Sequence, residues 1–510
     1  MLTSLKQRCP PALAGRTIFF IASVAALFSR FFHHGLLLGF YQDDFFYYLK
    51  VAENLALHRI SSFDNIHLTN GYHPLWLLTL ALLRWRLHGV AFFLALQTLT
   101  LASVLLCYLL IGQIFRTLQI PKALRTIATF IVSMQALLLL RYGMEVTLAL
   151  PLGLWLIRLL LDLSDTAPPR RIFWLAILGS LTILARLDAI LLVSTLLLSV
   201  FWSHKLYKSP RPVLTLLLGL SPMYLYLVVN YRFFHVLAPV SGLAKQMKTN
   251  LLPSASSILG LILPFDRLKI IFMPPCLLLL AAGLVLIARS PRTLSKSHAA
   301  VLLPALIFPI LQILVLSILS DWPLWPWYFY SFVFSSVAAI VLLIRTPSLN
   351  HTPARQSLQV IGVALSIAYI LYIGAYSVFS PNSVAIYTSS RQLATYMDAH
   401  PGTYAMGDQA GVTGYLSSQP LIQLEGLVMD ADYLQKLKRR EPLRQIMEDY
   451  GVRYYVTLSS HSPGSCLPLR EPGQAGPHSP VSQGVICSPP LATFHRKNVP
   501  IYVFDAHAIQ

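Results

Sequence analysis

The sequence predicts a polytopic α-helical membrane protein with a small α/β domain at its C-terminal end. Of the 510 residues, 55% are hydrophobic and only 12% are charged, whereas soluble globular domains carry about a quarter charged residues. Apolar runs of roughly 17 to 25 residues, the length that crosses a bilayer, recur through the first three quarters of the chain. Together these observations exclude a soluble fold for that part.

Eleven apolar segments are predicted to cross the membrane, separated by polar or basic loops. A further run, 74–87, is short and contains Arg84 and Arg86 near its end, so we assign it to the membrane interface. The predicted crossing segments are 17–39, 90–112, 123–140, 146–161, 172–185, 189–202, 212–230, 270–288, 299–320, 328–344 and 358–379.

The distribution of charge predicts the orientation of these segments. The net charge is +19, but residues 381–510 carry ten basic and ten acidic side chains, so the excess lies in the membrane part. If 74–87 does not cross, every loop on the same side of the membrane as the N-terminus is basic, as cytoplasmic loops are. We expect a multi-pass protein of the inner (cytoplasmic) membrane, with a cytoplasmic N-terminus and a periplasmic or extracellular C-terminal domain. Basic residues spread over short loops do not predict a nucleic-acid partner.

A change of composition near residue 381 divides the chain into a membrane domain, 1–380, and a C-terminal domain, 381–510. Alternating strand and helix patterns predict an α/β fold for the second domain. Residues 459–490, rich in Pro, Gly and Ser, are predicted as a long loop. Cys466 and Cys487 lie there and could form a disulfide in an exported domain, or stay free thiols. The predicted strands are 404–406, 421–424, 452–458 and 501–504, and the predicted helices are 432–440 and 443–450.

The first outer loop holds the most informative motif. Asp43 and Asp44 directly follow the first predicted span, and residues 44–58 have helical spacing with an aromatic face, which predicts a helix lying in the interface. A carboxylate held at the membrane surface can take a proton from a hydroxyl group. The alternative is that the aspartates only cap the N-terminus of a helix.

Other charged residues lie close to apolar segments on the predicted outer side. Glu145 follows one such segment, and Arg186 and Asp188 lie between two short apolar halves. Ionised residues so near hydrocarbon are costly and predict a function. Arg186 could bind a phosphate through charge-assisted contacts. The alternatives are helix capping for Glu145 and an internal Arg–Asp pair for Arg186. Lys245 and Arg267 are further basic candidates in outer loops.

Aromatic and metal-binding patterns are less specific. The run 322–328 contains Trp327 and Tyr328, and it predicts either a sugar-binding wall or an interfacial aromatic belt. His33, His34 and His73 form no recognisable metal set, so no metal ligand is predicted. A divalent cation is compatible with the sequence, but no motif indicates one, and the cofactor stays unassigned.

In their order along the chain, these motifs resemble those of the GT-C superfamily of membrane glycosyltransferases, over roughly residues 17–345. The likeness is to the branch that contains the protein O-mannosyltransferases and the lipid A aminoarabinose transferases, in which an acidic pair follows the first membrane helix. The resemblance implies a GT-C-like catalytic membrane domain in which Asp43 is the general base, with Asp44 as the alternative. It also implies that Glu145 helps to hold the acceptor or a metal.

The resemblance implies an enzyme that moves a hexose or pentose from a polyprenyl-phosphate donor to an acceptor hydroxyl at the outer face of the membrane. Its partners would be membrane lipid, the lipid-linked donor, and a glycan, lipid or protein acceptor. Arg186, Lys245 and Arg267 would bind the donor phosphate. The expected substrate pocket consists of Asn70, Tyr72, His73, Asp188, Trp327 and Tyr328.

A lipid or solute transporter or flippase is the alternative class, because it would also need many helices and buried charges. Such proteins are often built from paired halves with broken helices at matching positions. The sequence has no such symmetry, and its acidic residues cluster near one predicted surface. The pattern therefore favours the glycosyltransferase.

Overall fold

The computed structural model describes residues 11–32, 41–164, 166–255, 258, 267–289, 294–346, 352–378, 381–459 and 466–510. Its membrane part is helical, and each of the eleven predicted crossing segments overlaps a helix or, for 212–230, a bent pair of helices. The helices of this part are Pro11–Phe32, Asp43–His58, Pro74–Arg86, Gly89–Thr117, Lys122–Leu140, Val146–Leu161, Pro169–Ala185, Ile190–Ser203, Pro210–Gly219, Ser221–Phe234, Val240–Lys245, Arg267–Arg289, Lys296–Leu319, Ser331–Arg345 and Thr352–Val378.

The described residues contain five helices that are long and apolar enough to cross a membrane. A sixth crossing is possible at Pro210–Gly219 and Ser221–Phe234, two apolar helices that meet at an angle of 46°. Several other predicted spans form shorter apolar helices, among them Val146–Leu161. The chain is therefore a helical, multi-pass type of membrane protein, and eleven crossings remain a prediction.

Small residues let the membrane helices approach one another closely. A Cβ atom on Gly153 would lie 2.7 Å from the Phe334 ring, and one on Gly283 would lie 2.8 Å from the Leu306 side chain. Close backbone approach increases the dispersion contacts on which helix packing in lipid depends. Substituting either glycine with a larger residue would therefore separate packed helices.

The residues after the first predicted span form a helix, as the spacing of 44–58 predicted. The helix Asp43–His58, called here the first-loop helix, packs against the helix Pro74–Arg86. An ion pair of 2.6 Å between Arg84 and Glu53 joins the two. This contact holds the first-loop helix, and with it the acidic pair, in a fixed orientation.

The C-terminal part combines helices with a five-stranded mixed sheet. Strand β1 lies between β2 and β3 and is parallel to both, whereas β7 is antiparallel to β3 and to β6. Its helices are Pro381–Ala399, Ala410–Leu416, Ala431–Lys438 and Leu443–Asp449. Its strands are β1 Tyr404–Met406, β2 Leu421–Gln423, β3 Tyr454–Leu458, β4 Leu467–Glu471, β5 Ser482–Ile486, β6 Ala492–Arg496 and β7 Val499–Asp505.

The prediction of a loop over 459–490 is wrong for part of that stretch. Strands β4 and β5 pair there as an antiparallel hairpin, and the disulfide between Cys466 and Cys487 closes the open end of the hairpin. The Pro and Gly residues between the strands obscured the alternation that marks a strand. The disulfide was one of the two alternatives open from sequence.

The C-terminal part covers loops at one end of the membrane helices. Asp321 accepts hydrogen bonds from the His478 amide, at 2.8 Å, and from the Ser479 hydroxyl. Gly71 packs so tightly against Leu427 that a Cβ atom would lie 1.8 Å from the Leu427 carbonyl oxygen. These contacts enclose the space between the two parts.

Candidate active site

The two adjacent aspartates at the start of the first-loop helix have different surroundings. Asp43 faces the C-terminal part, where its Oδ2 accepts the Gly411 amide at 3.1 Å and its Oδ1 accepts the Val412 amide at 2.8 Å. Both donors belong to the helix Ala410–Leu416, called here the docking helix. Burial raises the pKa of Asp43 to about 7, although the amides lower it. Asp43 thus joins the two parts of the protein.

The docking helix reaches Asp43 only because residue 411 is glycine. A Cβ atom there would lie 2.3 Å from the Asp43 carbonyl oxygen and 3.0 Å from its carboxylate. The segment around Gly411 has no fingerprint of a nucleotide-binding loop, and the structure gives it a different use. It brings two backbone amides to a carboxylate of another domain.

Asp44 instead faces open space. It accepts no hydrogen bond from any other residue in the described part of the chain, and it lines two neighbouring cavities. Burial raises its pKa, as do Glu145 and Asp408, while Lys245 opposes the rise. A raised pKa makes a carboxylate a better proton acceptor.

The two cavities meet at Asp44. One, called here the membrane-side cavity, has a volume of about 340 Å³ and is lined mainly by residues of the membrane part. The other, the domain-side cavity, has a volume of about 230 Å³ and lies against the C-terminal part. The residues that line both are Asp44, Lys245, Trp322, Trp327 and Leu427.

Arg186 lies in a buried network on the wall of the membrane-side cavity. Its guanidinium donates to Glu145 and, at 2.8 and 3.3 Å, to the two carboxylate oxygens of Asp188. The Tyr328 and Tyr330 rings lie 4.7 Å from it. Two carboxylates already neutralise Arg186. Of the two alternatives from sequence, this arrangement favours an internal ion pair over binding of a phosphate by Arg186.

His73 extends this network toward the first outer loop. Its Nδ1 accepts the Leu187 amide at 3.1 Å, which leaves the proton of the neutral ring on Nε2. That Nε2 lies 3.8 Å from Glu145. Burial lowers the pKa of His73, which favours the neutral ring. The Nε2–H group of His73 therefore lies near Glu145, and both residues line the membrane-side cavity.

Lys245 is the cation that remains available at the junction of the cavities. Its Nζ lies 3.4 Å from the Tyr328 hydroxyl, and no carboxylate of the described residues lies within 4 Å of it. Burial lowers its pKa, but Tyr328 and Asp44 outweigh that effect and the net pKa is raised. The ammonium group stays charged and can bind an anion.

The remaining predicted residues divide into three groups. Trp327, Tyr328, His73 and Asp188 line the membrane-side cavity. Asn70 and Tyr72 do not line it, and their place in the substrate pocket stays a prediction. Asn70 accepts the Val240 amide at 3.0 Å, and Tyr72 contacts Ser61 at 2.8 Å. Both side chains therefore connect neighbouring loops. The Arg267 side chain lies outside the described part.

Asn70 nevertheless affects the site indirectly. Its amide also donates to the Ala238 carbonyl at 3.4 Å. These two bonds attach the start of the helix Val240–Lys245 to the first outer loop. The position of Lys245 relative to Asp44 therefore depends on this contact.

Sequence reasoning missed the polar wall that the C-terminal part contributes to the domain-side cavity. Asp408, Glu425, Gln474 and Arg496 line it together with Trp325. Burial raises the pKa of Glu425 well above its usual range. The only sequence signal was the short Gly407–Gly411 segment, since the other residues are far apart in the chain.

Aromatic rings complete the junction. The Trp325 and Trp327 rings stack with centroids 5.9 Å apart and planes 10° apart, and Trp327 lines both cavities. Among the described residues, no group of three or more His, Cys, Asp or Glu side chains is arranged to hold a metal ion. The site thus combines carboxylates, the Lys245 ammonium group, the polar side chains of the C-terminal part and aromatic walls.

The fold matches solved membrane glycosyltransferases. ArnT from Cupriavidus metallidurans bound to undecaprenyl phosphate is 15% identical with a TM-score of 0.50, over 87% of this chain and 93% of that one. Its apo state gives 14% identity and a TM-score of 0.52, over 88% and 93%. The Archaeoglobus fulgidus oligosaccharyltransferase tethered with an acceptor peptide gives 11% and 0.51, over 88% and 69%. The chain therefore has the fold of the GT-C membrane glycosyltransferases, as its motifs suggested.

Comparison of sequences alone gives no relative. No protein-family model matches the chain, and no curated protein matches it. The chain therefore resembles the solved glycosyltransferases in fold.

Proposed function

We propose that this protein transfers a sugar from a polyprenyl-phosphate donor to an acceptor hydroxyl at the outer face of the membrane. The observation that carries the proposal is the meeting of two cavities at a carboxylate, Asp44, and an available cation, Lys245. A GT-C fold shared with a protein solved with undecaprenyl phosphate supports the same class of reaction. Glycosyl transfer needs a donor chamber, an acceptor chamber and a reaction point between them.

The membrane-side cavity suits the donor. It has aromatic and aliphatic walls toward the membrane helices and is the larger of the two. Lys245 lies where a phosphate would meet the sugar, and fixed cations stabilise the charge that develops on a leaving phosphate. We assign the donor phosphate to Lys245 rather than to Arg186, whose charge is balanced by Glu145 and Asp188.

The domain-side cavity suits the acceptor. Carboxylate and amide side chains beside tryptophan rings can bind hydroxyl groups and an apolar sugar face. The acceptor hydroxyl would reach Asp44 from this side. The shape and lining of this cavity decide whether the acceptor is a glycan, a lipid or a protein.

In the proposed reaction, the acceptor O–H proton passes to the Asp44 carboxylate as the acceptor oxygen bonds to the anomeric carbon of the donor sugar. The bond from that carbon to the phosphate oxygen breaks, and polyprenyl phosphate leaves with its charge facing Lys245. A single in-line displacement inverts the anomeric centre. Its raised pKa makes Asp44 a stronger base than an ordinary aspartate.

This assignment moves the base from Asp43, the first choice from sequence, to its neighbour. The two amide bonds to Asp43 favour a role in joining the docking helix to the first-loop helix. Glu145 and Arg186 act as positioning residues, because they hold each other and fix the walls around His73 and Tyr328.

The phosphate assignment is tested by binding of polyprenyl phosphate to the purified protein in nanodiscs. Lys245→Gln should weaken binding by about 10-fold or more, since hydrogen bonds to charged groups contribute about 1.5–3 kcal/mol. Lys248→Gln is the matched control: Lys248 lies three residues further along the chain, donates to the Ser317 carbonyl and lines neither cavity. Equal affinity of the Lys245 variant and the control would contradict the assignment.

The transporter alternative predicts a different result in the same nanodiscs. A flippase or transporter would move its substrate between the two sides without breaking a covalent bond. The proposed enzyme should release free polyprenyl phosphate from a polyprenyl-phosphate sugar when an acceptor is present. No observation on the described residues favours the transporter.

A further inference from the structure

A third cavity lies at the opposite end of the membrane helices from the candidate active site. It is enclosed by the end of the helix Gly89–Thr117 and the start of the helix Lys122–Leu140, and it has a volume of about 130 Å³. The helix Lys122–Leu140 has 19 residues, a rise of about 28 Å, and Glu145 follows its far end. That rise is close to the roughly 30 Å of bilayer hydrocarbon, so the cavity faces the other membrane surface.

The lining of this cavity is strongly basic. Four cations border it, and its lining includes no acidic residue. No carboxylate among the described residues lies within 4 Å of any of the four. Tyr108 and Gln113 add polar groups, and Arg16 hydrogen-bonds the Tyr108 hydroxyl. The four cations are Arg16, Arg116, Lys122 and Arg125.

A buried hydroxyl without a partner lies on the same wall. Thr129 lines the cavity and is 3% exposed, and its Oγ1 makes no hydrogen bond to any described residue. A buried polar group left unpaired is costly, so Thr129 indicates a ligand that supplies the missing partner. Gly112 faces it across the cavity, where a Cβ atom would lie 3.8 Å from that Oγ1.

The start of a long helix adds to the positive potential. The first backbone amides of the helix Lys122–Leu140 have no partner within the helix, and its dipole favours negative charge there. The positive-inside rule explains why basic residues occur on this face. It does not explain why four of them converge on one cavity that also contains an unpaired hydroxyl.

We propose that this cavity binds the phosphate of an anionic phospholipid headgroup from the membrane leaflet opposite the active site. Basic pockets between membrane helices recognise phospholipid headgroups through such contacts. The four cations balance the phosphate charge, and the Thr129 hydroxyl donates to a phosphate oxygen. The acyl chains lie along the outward faces of the two helices, where Leu109 borders both the cavity and the lipid.

The test uses purified protein in a zwitterionic detergent, with short-chain phosphatidylglycerol as the probe and thermal unfolding as the readout. The lipid should raise the melting temperature in a saturable way, and short-chain phosphatidylcholine should not. Arg116→Gln combined with Arg125→Gln should weaken the apparent affinity about 25-fold, or about fivefold for each cation. The matched control neutralises Arg170 and Arg171, which lie in the first turn of the helix Pro169–Ala185 on the same predicted face.

A second variant keeps the proposal testable if the arginine variant fails to fold. Thr129→Val has almost the same shape and removes only the unpaired hydroxyl, so the lipid-free protein should be at least as stable. Its affinity for phosphatidylglycerol should fall about tenfold. Equal affinity of the Thr129 variant and the native protein, or an equal loss in the Arg170 and Arg171 control, would overturn the proposal.

A third arm separates a lipid from a free anion. Inorganic phosphate at the same concentration should produce little stabilisation, because it lacks the acyl chains that hold the headgroup at the cavity. Stabilisation by phosphate that equals that by phosphatidylglycerol would overturn the lipid assignment.

Discussion

At the scale of single residues, the structure separates two aspartates that the sequence leaves equivalent. Successive residues of a helix point about 100° apart, so Asp43 and Asp44 face different neighbours. Asp43 meets the amides of Gly411 and Val412 and lines the domain-side cavity, whereas Asp44 lines both cavities. The partners of Asp43 lie 368 and 369 positions away in the chain. No local pattern could have shown which aspartate lines both cavities.

Arg186 gives a prediction about stability at the same scale. Arg186→Ala would leave Glu145 and Asp188 buried without their cation. Breaking a buried ion pair by removing one partner costs about 3–5 kcal/mol. We expect a clear fall in melting temperature, together with low yield, measured by thermal unfolding of the purified protein.

The control for this prediction is an ion pair near the surface. Arg158 and Asp162 pair with side chains that are 23% and 40% exposed, so Arg158→Ala should cost at most about 1 kcal/mol. Similar melting temperatures for the Arg186 and Arg158 variants would contradict the network described here.

At the scale of elements, the contact between the docking helix and the first-loop helix is the feature that aligns the two cavities. Gly411→Ala would add a Cβ atom 2.3 Å from the Asp43 carbonyl oxygen and separate the helices. A misplacement of about 1 Å near a reaction point can cost about 100-fold in rate. We expect transfer to fall at least tenfold, measured with a polyprenyl-phosphate sugar.

Gly473→Ala is the matched control, because its Cβ atom would lie no closer than 3.8 Å to its nearest neighbour. This variant should keep the native rate of transfer. If Gly411→Ala also keeps it, close packing of the docking helix is unimportant for the site.

A pH dependence is expected in the C-terminal part. Burial raises the pKa of Glu471 from 4.5 to about 7, even though Tyr455 donates to it at 2.9 Å. The folded protein therefore binds more protons than the unfolded chain between those values, and stability falls as the pH rises through that window. The slope is at most about 1.4 kcal/mol per pH unit for this group.

Glu471→Gln should remove that part of the slope, because glutamine does not ionise. The difference in melting temperature, variant minus native protein, should be larger at about pH 8 than at about pH 5. Asp43 titrates in the same range and should keep some slope in the variant. An unchanged difference between variant and native protein at the two pH values would contradict the raised pKa.

At the scale of the whole molecule, hydropathy and local pattern predicted the elements, and contacts between distant elements decided the site. Apolar runs gave the membrane helices, because hydrocarbon demands them locally. Strands β1 and β3 were also visible, whereas the β4–β5 hairpin was hidden by its Pro and Gly residues. Asp408 and Glu425 of the domain-side cavity could not be predicted, because the fold of one domain onto the other brings them there.

The same reasoning explains why Asn70 and Tyr72 do not line the membrane-side cavity. They lie close in sequence to His73, which does line the membrane-side cavity, but their side chains contact neighbouring loops. Motif order located the correct loop. The direction of each side chain depended on the packing of that loop against Ser61 and the helix Val240–Lys245.

The central claim is that sugar transfer occurs where the two cavities meet, with Asp44 as the base. It is tested most directly by comparing Asp44→Asn and Asp43→Asn in a transfer assay with a polyprenyl-phosphate sugar. A general base contributes about 100- to 10,000-fold, so Asp44→Asn should lower the turnover rate by at least about 100-fold. Its affinity for polyprenyl phosphate should remain near the native value, because Lys245 holds the phosphate.

Asp43→Asn should retain a higher turnover rate than Asp44→Asn, since asparagine can still accept one of the two amide hydrogen bonds from the docking helix. Thermal unfolding of both purified variants serves as the check that each is folded. A native turnover rate in folded Asp44→Asn would contradict the account, and so would a loss of transfer confined to Asp43→Asn.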